Sequence, residues 1–299
     1  MERIYCVYTD REVPCSETSP EHIIPLSLGG SGAFTIRVET GFNSTIGHSI
    51  DGQVANDPIL KVLRAKRDAR GHSNQPVEAR WNRTVDQDGN PLQVTIHKDG
   101  IHVRDPKTGR ILSDPEAGTR LLSSNFKIQP RAKIPFSAKV ALGTGYFLYG
   151  DIFRKRADHQ GLRALVRSLE KLDEETLKEN KIRYFDSIFD PNFDRNDPNH
   201  NVAELMLRAF DCSAVIVSYA SGALLFFIGI LGEWFSTIVV PADDKAFPDT
   251  GDFDLGHALV IEPEGLARLS FREAVKQFGE FLNNERNQPK SADGESESY

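Results

Sequence analysis

Glu21 and His22 stand side by side, and Asn43 follows the histidine by 21 residues. A histidine titrates near neutrality, which suits it to draw a proton from water. A carboxylate and an amide oxygen are ligands that a hard divalent cation accepts, usually with water and phosphate completing its shell. These residue types match what hydrolysis of a phosphodiester requires: a base, and a cation to neutralise charge on the phosphate and the leaving oxygen. On a regular strand Glu21 and His22 would point to opposite faces, so a shared centre calls for a distorted strand end. Gly29 and Gly30 come next and let the backbone turn close beside a ligand. An isolated Glu-His pair is most often a solvated surface feature, so the surrounding sequence has to carry the reading.

The elements that would hold these residues are legible in outline. Residues 1 to about 53 read as short strands and Gly-rich loops punctuated by Pro14, Pro20, Pro25 and Gly29 to Gly32, with Phe34–Glu39 as a short strand. From Asn43 the apolar residues Ile46, Ile50, Val54, Ile59, Val62 and Leu63 recur at helical spacing, with Pro58 at a helix start or break and Gly71 as the end. Hairpins follow, Gln93–His97 and Ile101–Arg104 about a turn at Lys98-Asp99-Gly100. Helices are expected at about 135–149, 160–180 and 270–284, an exposed loop over 186–201, and a disordered polar tail over 288–299.

Ala214 to Gly232 is free of charge over 19 residues, long enough for a membrane helix. Ser218–Gly222 interrupts it like a turn, and its halves are rich in Val, Ile and Phe. We therefore expect buried strands and no membrane segment.

The chain of 299 residues carries a net charge of −7, which excludes a protein coated in positive potential. Between Val54 and Val140, however, 16 Lys and Arg face 9 Asp and Glu, a basic stretch that suits either a phosphate backbone or ordinary solvated faces. Three cysteines are too few for a disulfide framework, and the first residues lack the apolar core of a signal peptide. The expected location is cytoplasmic. The histidines at 72, 97, 102, 159, 200 and 257 lack ligand-like spacing and read as structural or exposed, although His97 and His102 could face each other across a hairpin.

The run Glu21-His-Ile-Ile-Pro-Leu-Ser-Leu-Gly-Gly30 resembles the first motif of the HNH endonuclease superfamily, in the branch that reads E-H-I-I-P-x-x-L-G-G. Asn43-Ser-Thr-Ile-Gly-His-Ser-Ile-Asp51 is similar to that branch's second motif, in which an asparagine opens a helix. Together the motifs cover about 30 residues. Lys139–Leu142 and Tyr149-Gly150 are broadly similar to the C-terminal part of such proteins.

The resemblance implies an α+β protein with an N-terminal ββα-metal module at 1–75, an accessory helix and antiparallel-sheet region at 76–287, and the tail. It implies cleavage of DNA, read as double-stranded, with His22 as general base and Glu21 and Asn43 as ligands of Mg²⁺ or Mn²⁺. His48 is either a further ligand or a residue that contacts substrate. Asp51 orients the helix by a hydrogen bond, and Gly29 and Gly30 support the loop.

Two departures stand out. Many relatives clamp the hairpin with a zinc held by paired cysteines, whereas here only Cys6 fits and Thr9, Glu39 and Phe42 fill the partner positions. No structural zinc is expected, and packing by Tyr5, Tyr8, Phe34 and Phe42 must replace it. The family's middle asparagine is also missing, a role left to Thr35 or a backbone carbonyl. The alternative is an HNH-like module that binds nucleic acid or protein without cutting. The sequence leaves open whether the chain acts alone or as a dimer.

Overall fold

The computed structural model describes residues 2–125, 132–168, 181–186, 198–247 and 251–287, apart from the side chains of 46–48, 199–200, 244 and 284–287. The expected tail, most of the 186–201 loop and the second half of the 160–180 helix lie outside the described residues. The protein is α+β, and all its described strand pairs are antiparallel.

The chain opens with two hairpins, β1 (Arg3–Cys6) with β2 (Arg11–Pro14), then β3 (Thr18–His22) with β4 (Thr35–Glu39). Helix α1 (Thr40–Ile46) leaves β4 directly, so Asn43 is its fourth residue rather than its first. The helix does not continue regularly: Gly47–Asp51 forms a π-helical turn before α2 (Gly52–Ala55). The wider turn changes the helical phase, so Asp51 departs from the regular helical position expected eight residues after Asn43. Asp57 then caps α3 (Pro58–Arg67), accepting a hydrogen bond from Ile59 N at 3.1 Å with Pro58 at the first helical position, where its missing N–H costs nothing.

Beyond α3, strands β5 (Ala79–Val85), β6 (Pro91–His97), β7 (Gly100–Arg104) and β8 (Ser123–Ser124) form a sheet in the order β7-β6-β5-β8, with the short helix α4 (Asp114–Gly118) between β7 and β8. Leu92, Val94, Ile96 and Val103 bury one face together with Ala65 of α3. The opposite face carries Arg80, His97, His102 and Arg104, with the rings of His97 and His102 4.9 Å apart.

Helix α5 (Lys133–Tyr149) is buried on all sides over most of its length. It is followed by α6 (Asp151–Arg156) and α7 (His159–Arg167), then β9 (Arg183–Asp186) and α8 (Pro198–Phe210). The large sheet comprises β9, β10 (Ala214–Ala220), β11 (Ala223–Ile230), β12 (Trp234–Pro241), β13 (Gly256–Glu262) and β14 (Gly265–Ser270), in the order β14-β13-β10-β11-β12-β9, and α9 (Phe271–Asn287) closes the described chain.

The uncharged 214–232 stretch is thus the hairpin β10–β11, turning at Ser221 and Gly222. Val215, Val217, Phe226, Ile228 and Trp234 face a core shared with α5 and the N-terminal hairpins. Ile216, Phe227, Phe235 and Val260 face a second core with Met206 and Leu207 of α8 and Ala274 of α9. A sheet covered on both faces reads as continuous apolar runs, which is why the stretch imitates a membrane segment. Among the described residues no helix is long and apolar enough to cross a membrane.

The turn between β1 and β2 is gripped by α7. Arg163 donates to Val7 O at 2.7 Å, Tyr5 OH at 2.8 Å and Asp10 Oδ1 at 3.2 Å, and Gln160 donates to Asp10 Oδ2 at 2.7 Å. Cys6 Sγ accepts from Glu39 N at 3.3 Å, and the Tyr8 and Phe42 rings stack at 5.6 Å. Phe34 meets Phe147 of α5 edge-on at 5.2 Å, and Tyr5 meets Tyr146 at 5.5 Å.

Candidate active site

His22 ends β3, opposite Thr35 of β4, and beyond it Ile23 N donates to Phe34 O at 3.1 Å. The chain then turns through Pro25–Gly30, and the two glycines have different reasons for being there. Gly29 ends a short helical turn at φ 75°, a conformation that favours glycine, and packs against Ser213 and Leu231. Gly30 has ordinary φ, but a Cβ there would collide with the carbonyl of Ile24. The loop is therefore packed between the end of β3 and the residues that flank β10 and β11.

Glu21 is buried, and its carboxylate meets a cation that belongs to the protein. Lys139 of α5, fully buried, places Nζ 2.5 Å from Glu21 Oε1 and 2.7 Å from Asp51 Oδ2. The same ammonium donates to His22 O at 3.2 Å. An ammonium stripped of water without partners would cost several kcal/mol, so the position of Lys139 is dictated by the two carboxylates. Burial works against its charge, but Asp51 and Glu21 outweigh it and hold its pKa above the usual lysine value. Burial pushes the Asp51 carboxyl up to about 6, with Lys139 pulling against the rise and Glu21 adding to it.

Two carboxylates against one ammonium leave one uncompensated negative charge, and Asp51 Oδ1 is buried without a hydrogen-bond partner. Asp51, expected to orient the helix by a hydrogen bond, does bond, but to Lys139 of α5.

Asn43 projects from α1 back onto β3, its amide nitrogen donating to Ser19 Oγ at 3.0 Å and Pro20 O at 3.2 Å. It ties helix to hairpin and stands at the same cleft, about 370 Å³ in volume, lined by Glu21, His22, Asn43, Asp51 and His72. The backbone of His48 lies in the π-helical turn, and its side chain is outside the described residues.

His22 is half-buried in this cleft. Burial, then the neighbouring His72, lower its pKa, with Lys139 adding to the effect and Glu21 opposing it. A neutral imidazole at neutral pH is the form able to accept a proton.

Glu21, His22, Asn43 and Asp51 are thus brought to one cleft, whereas Gly29 and Gly30 line a separate depression beside Ser213 and Leu231. Among the described residues no group of three His, Cys, Asp or Glu is arranged around a common centre as a ready metal cage. Sequence reasoning missed two members. Lys139 left a signal: a charged residue inside an otherwise apolar helix needs a buried partner. His72 left none, because it follows α3 at a distance in sequence that no motif spans. Its ring meets that of His22 edge-on with centroids 5.3 Å apart. Compared with protein-family models, curated proteins and solved structures, the chain shows no match.

Proposed function

We propose that the protein is an HNH-type endonuclease that hydrolyses DNA phosphodiester bonds with a divalent cation, His22 serving as general base. The observation that carries this reading is the position of His22 at the end of β3, its pKa lowered by burial, facing a cleft that also holds Glu21, Asn43 and Asp51. The β3–β4–α1 succession supports it, since both motifs fall on the hairpin and the helix that bring them together. The outer face of the β5–β8 sheet, with Arg104 exposed and Arg80 exposed beside its ion-pair partner Glu78, is compatible with a polyanionic substrate.

The donor set fits a hard cation: the buried cluster retains one negative charge after Lys139 is counted, and Asp51 Oδ1 lacks a partner. Glu21, Asn43 and Asp51 would hold Mg²⁺ or Mn²⁺, which supplies charge neutralisation at the phosphate. The chain's own residues do the rest. His22 takes the proton of the attacking water. Lys139 locks Glu21 and Asp51 in place and pins the backbone carbonyl of His22. Asn43 fixes the angle between α1 and β3.

Plasmid incubated with the protein and Mg²⁺ should be nicked, with chelator or His22→Ala abolishing the product. A His22→Ala protein that cuts as fast as the parent removes the assignment. A second reading, binding without cleavage, is favoured by one observation: both buried carboxylates already have Lys139 as counter-ion. It predicts a gel shift unchanged by His22→Ala and no cleavage products with any divalent cation.

A further inference from the structure

Hydrolysis at a phosphodiester leaves an acid–base problem at both ends of the displaced bond. Water must lose a proton as its oxygen attacks, and the departing sugar oxygen must gain one. His22 answers the first requirement; among the described side chains of the two motifs, Glu21 and Asp51 are tied to Lys139 and Asn43 to β3, which leaves the second requirement open.

His72 lies in the right place. It sits in the turn that follows α3, where Asn74 N donates to Gly71 O at 2.9 Å. Arg70 braces this turn, gripping both oxygens of Asp68 at 2.9 and 2.7 Å and Asn74 O at 3.2 Å. Asp68 and Asn74 both adopt left-handed backbone, at φ 50° and 52°, so the turn is sharply shaped on either side of the histidine. Its imidazole is exposed, lines the same cleft as His22, and stands edge-on to it at 5.3 Å and 67°. Two imidazoles at that separation can each come within hydrogen-bond reach, about 2.6–3.2 Å, of oxygens on one phosphate.

We propose that His72 is a second catalytic residue, the proton donor to the leaving oxygen of the phosphodiester; this rests on the endonuclease reading above. In the step, a water oxygen forms a bond to phosphorus and gives its proton to His22. The bond from phosphorus to the leaving oxygen breaks, its electron pair stays on that oxygen, and His72 supplies the proton that makes it a hydroxyl. The products are a phosphate monoester and a free sugar hydroxyl. His22 has gained one proton and His72 has lost one, so passage of one proton between the neighbouring rings through solvent resets the site without any further reactant.

The test separates proton donation from packing by changing the leaving atom. Nick sites are first mapped on plasmid with the parent protein and Mg²⁺. A duplex spanning one such site is then made in two forms, with oxygen or with sulfur at the bridging position of the cut linkage. A thiolate leaves without protonation. His72→Ala and His72→Gln, both at an exposed position, should slow the oxygen duplex by about 10²-fold or more, the range of general acid catalysis, yet stay within about threefold of the parent on the sulfur duplex. Equal loss on both duplexes, or no loss on either, overturns the proposal. A parent protein that nicks no DNA removes the endonuclease reading itself, which is a separate outcome.

Discussion

Replacing Lys139 with Met removes the ammonium from between Glu21 and Asp51 while keeping the unbranched apolar stem of the side chain. The two carboxylate oxygens it bridges, at 2.5 and 2.7 Å from Nζ, are then at most about 5.2 Å apart and face each other without a counter-ion. At an effective dielectric of about 20, two such charges repel by about 3 kcal/mol. Breaking a buried ion pair by removing one partner costs about 3–5 kcal/mol. The Lys139→Met protein should therefore be less stable than the parent by about 3–5 kcal/mol near pH 7.5, a substantial part of a typical folding free energy of about 5–15 kcal/mol.

The loss must also depend on pH in a defined direction. The Asp51 carboxyl, already raised to about 6 in the parent, rises further once Lys139 is gone. A carboxyl whose folded pKa is raised binds its proton more tightly in the folded chain, so its full stabilising effect is present at low pH and is lost as pH climbs through the folded value. The parent completes that loss near pH 6, while the variant goes on losing up to about 1.4 kcal/mol per unit above it. Urea unfolding at pH 5.5, 7 and 8.5 should show the gap between the two proteins widening with pH. A gap below about 1 kcal/mol at every pH, or one that narrows as pH rises, refutes the triad as the reason for this lysine.

Arg163→Met removes the bonds to Val7 O, Tyr5 OH and Asp10 from a buried position and should cost about 2–3 kcal/mol, since bonds to a charged group are worth about 1.5–3 kcal/mol; a thermal shift under about 2 °C would contradict the grip of α7 on the β1–β2 turn. Gly30→Ala drives a methyl into the Ile24 carbonyl and should destabilise by about 1–3 kcal/mol, whereas Gly32→Ala, with open space around it, should change stability by less than about 0.5 kcal/mol. Equal effects from the two glycines would contradict the packing given for Gly30. Because burial and His72 hold the His22 imidazole below its ordinary pKa, the acid limb of plasmid nicking should have its midpoint below that of free imidazole; a limb above about 7 would assign the base elsewhere.

What could be read from the sequence was local. The β10–β11 hairpin announced itself through β-branched residues about a Ser-Gly turn, the β6–β7 hairpin through Lys98-Asp99-Gly100, and α5 through its apolar length. The Glu-His and Asn segments landed on one hairpin and one helix because a β-turn-β followed by a helix needs only neighbours in sequence. What escaped was long-range or irregular. Lys139 reaches Asp51 across 88 positions, and no periodicity links them. The π-helical turn at Gly47–Asp51 breaks the 3.6-residue phase on which the placement of Asp51 relied. His72 became a neighbour of His22 only when the turn after α3 folded back over the cleft.

Helix α5 touches both halves of this arrangement. Through Lys139 it closes on Glu21 and Asp51, through Lys133 it comes within 3.8 Å of Asp57 at the start of α3, and through Ser137 it bonds to Ser236 of the large sheet at 2.8 Å. Tyr8, Ile23, Ile24 and Leu28 bury themselves in the core that it shares. The residues with the chemistry occupy the first quarter of the chain, yet the floor they stand on is supplied by its middle. Cutting the gene after residue 75 would yield a fragment with its motifs intact and its apolar underside bare. The smallest portable unit, whether for grafting onto another scaffold or for inheritance by recombination, therefore has to carry the 133–149 helix along with the motifs.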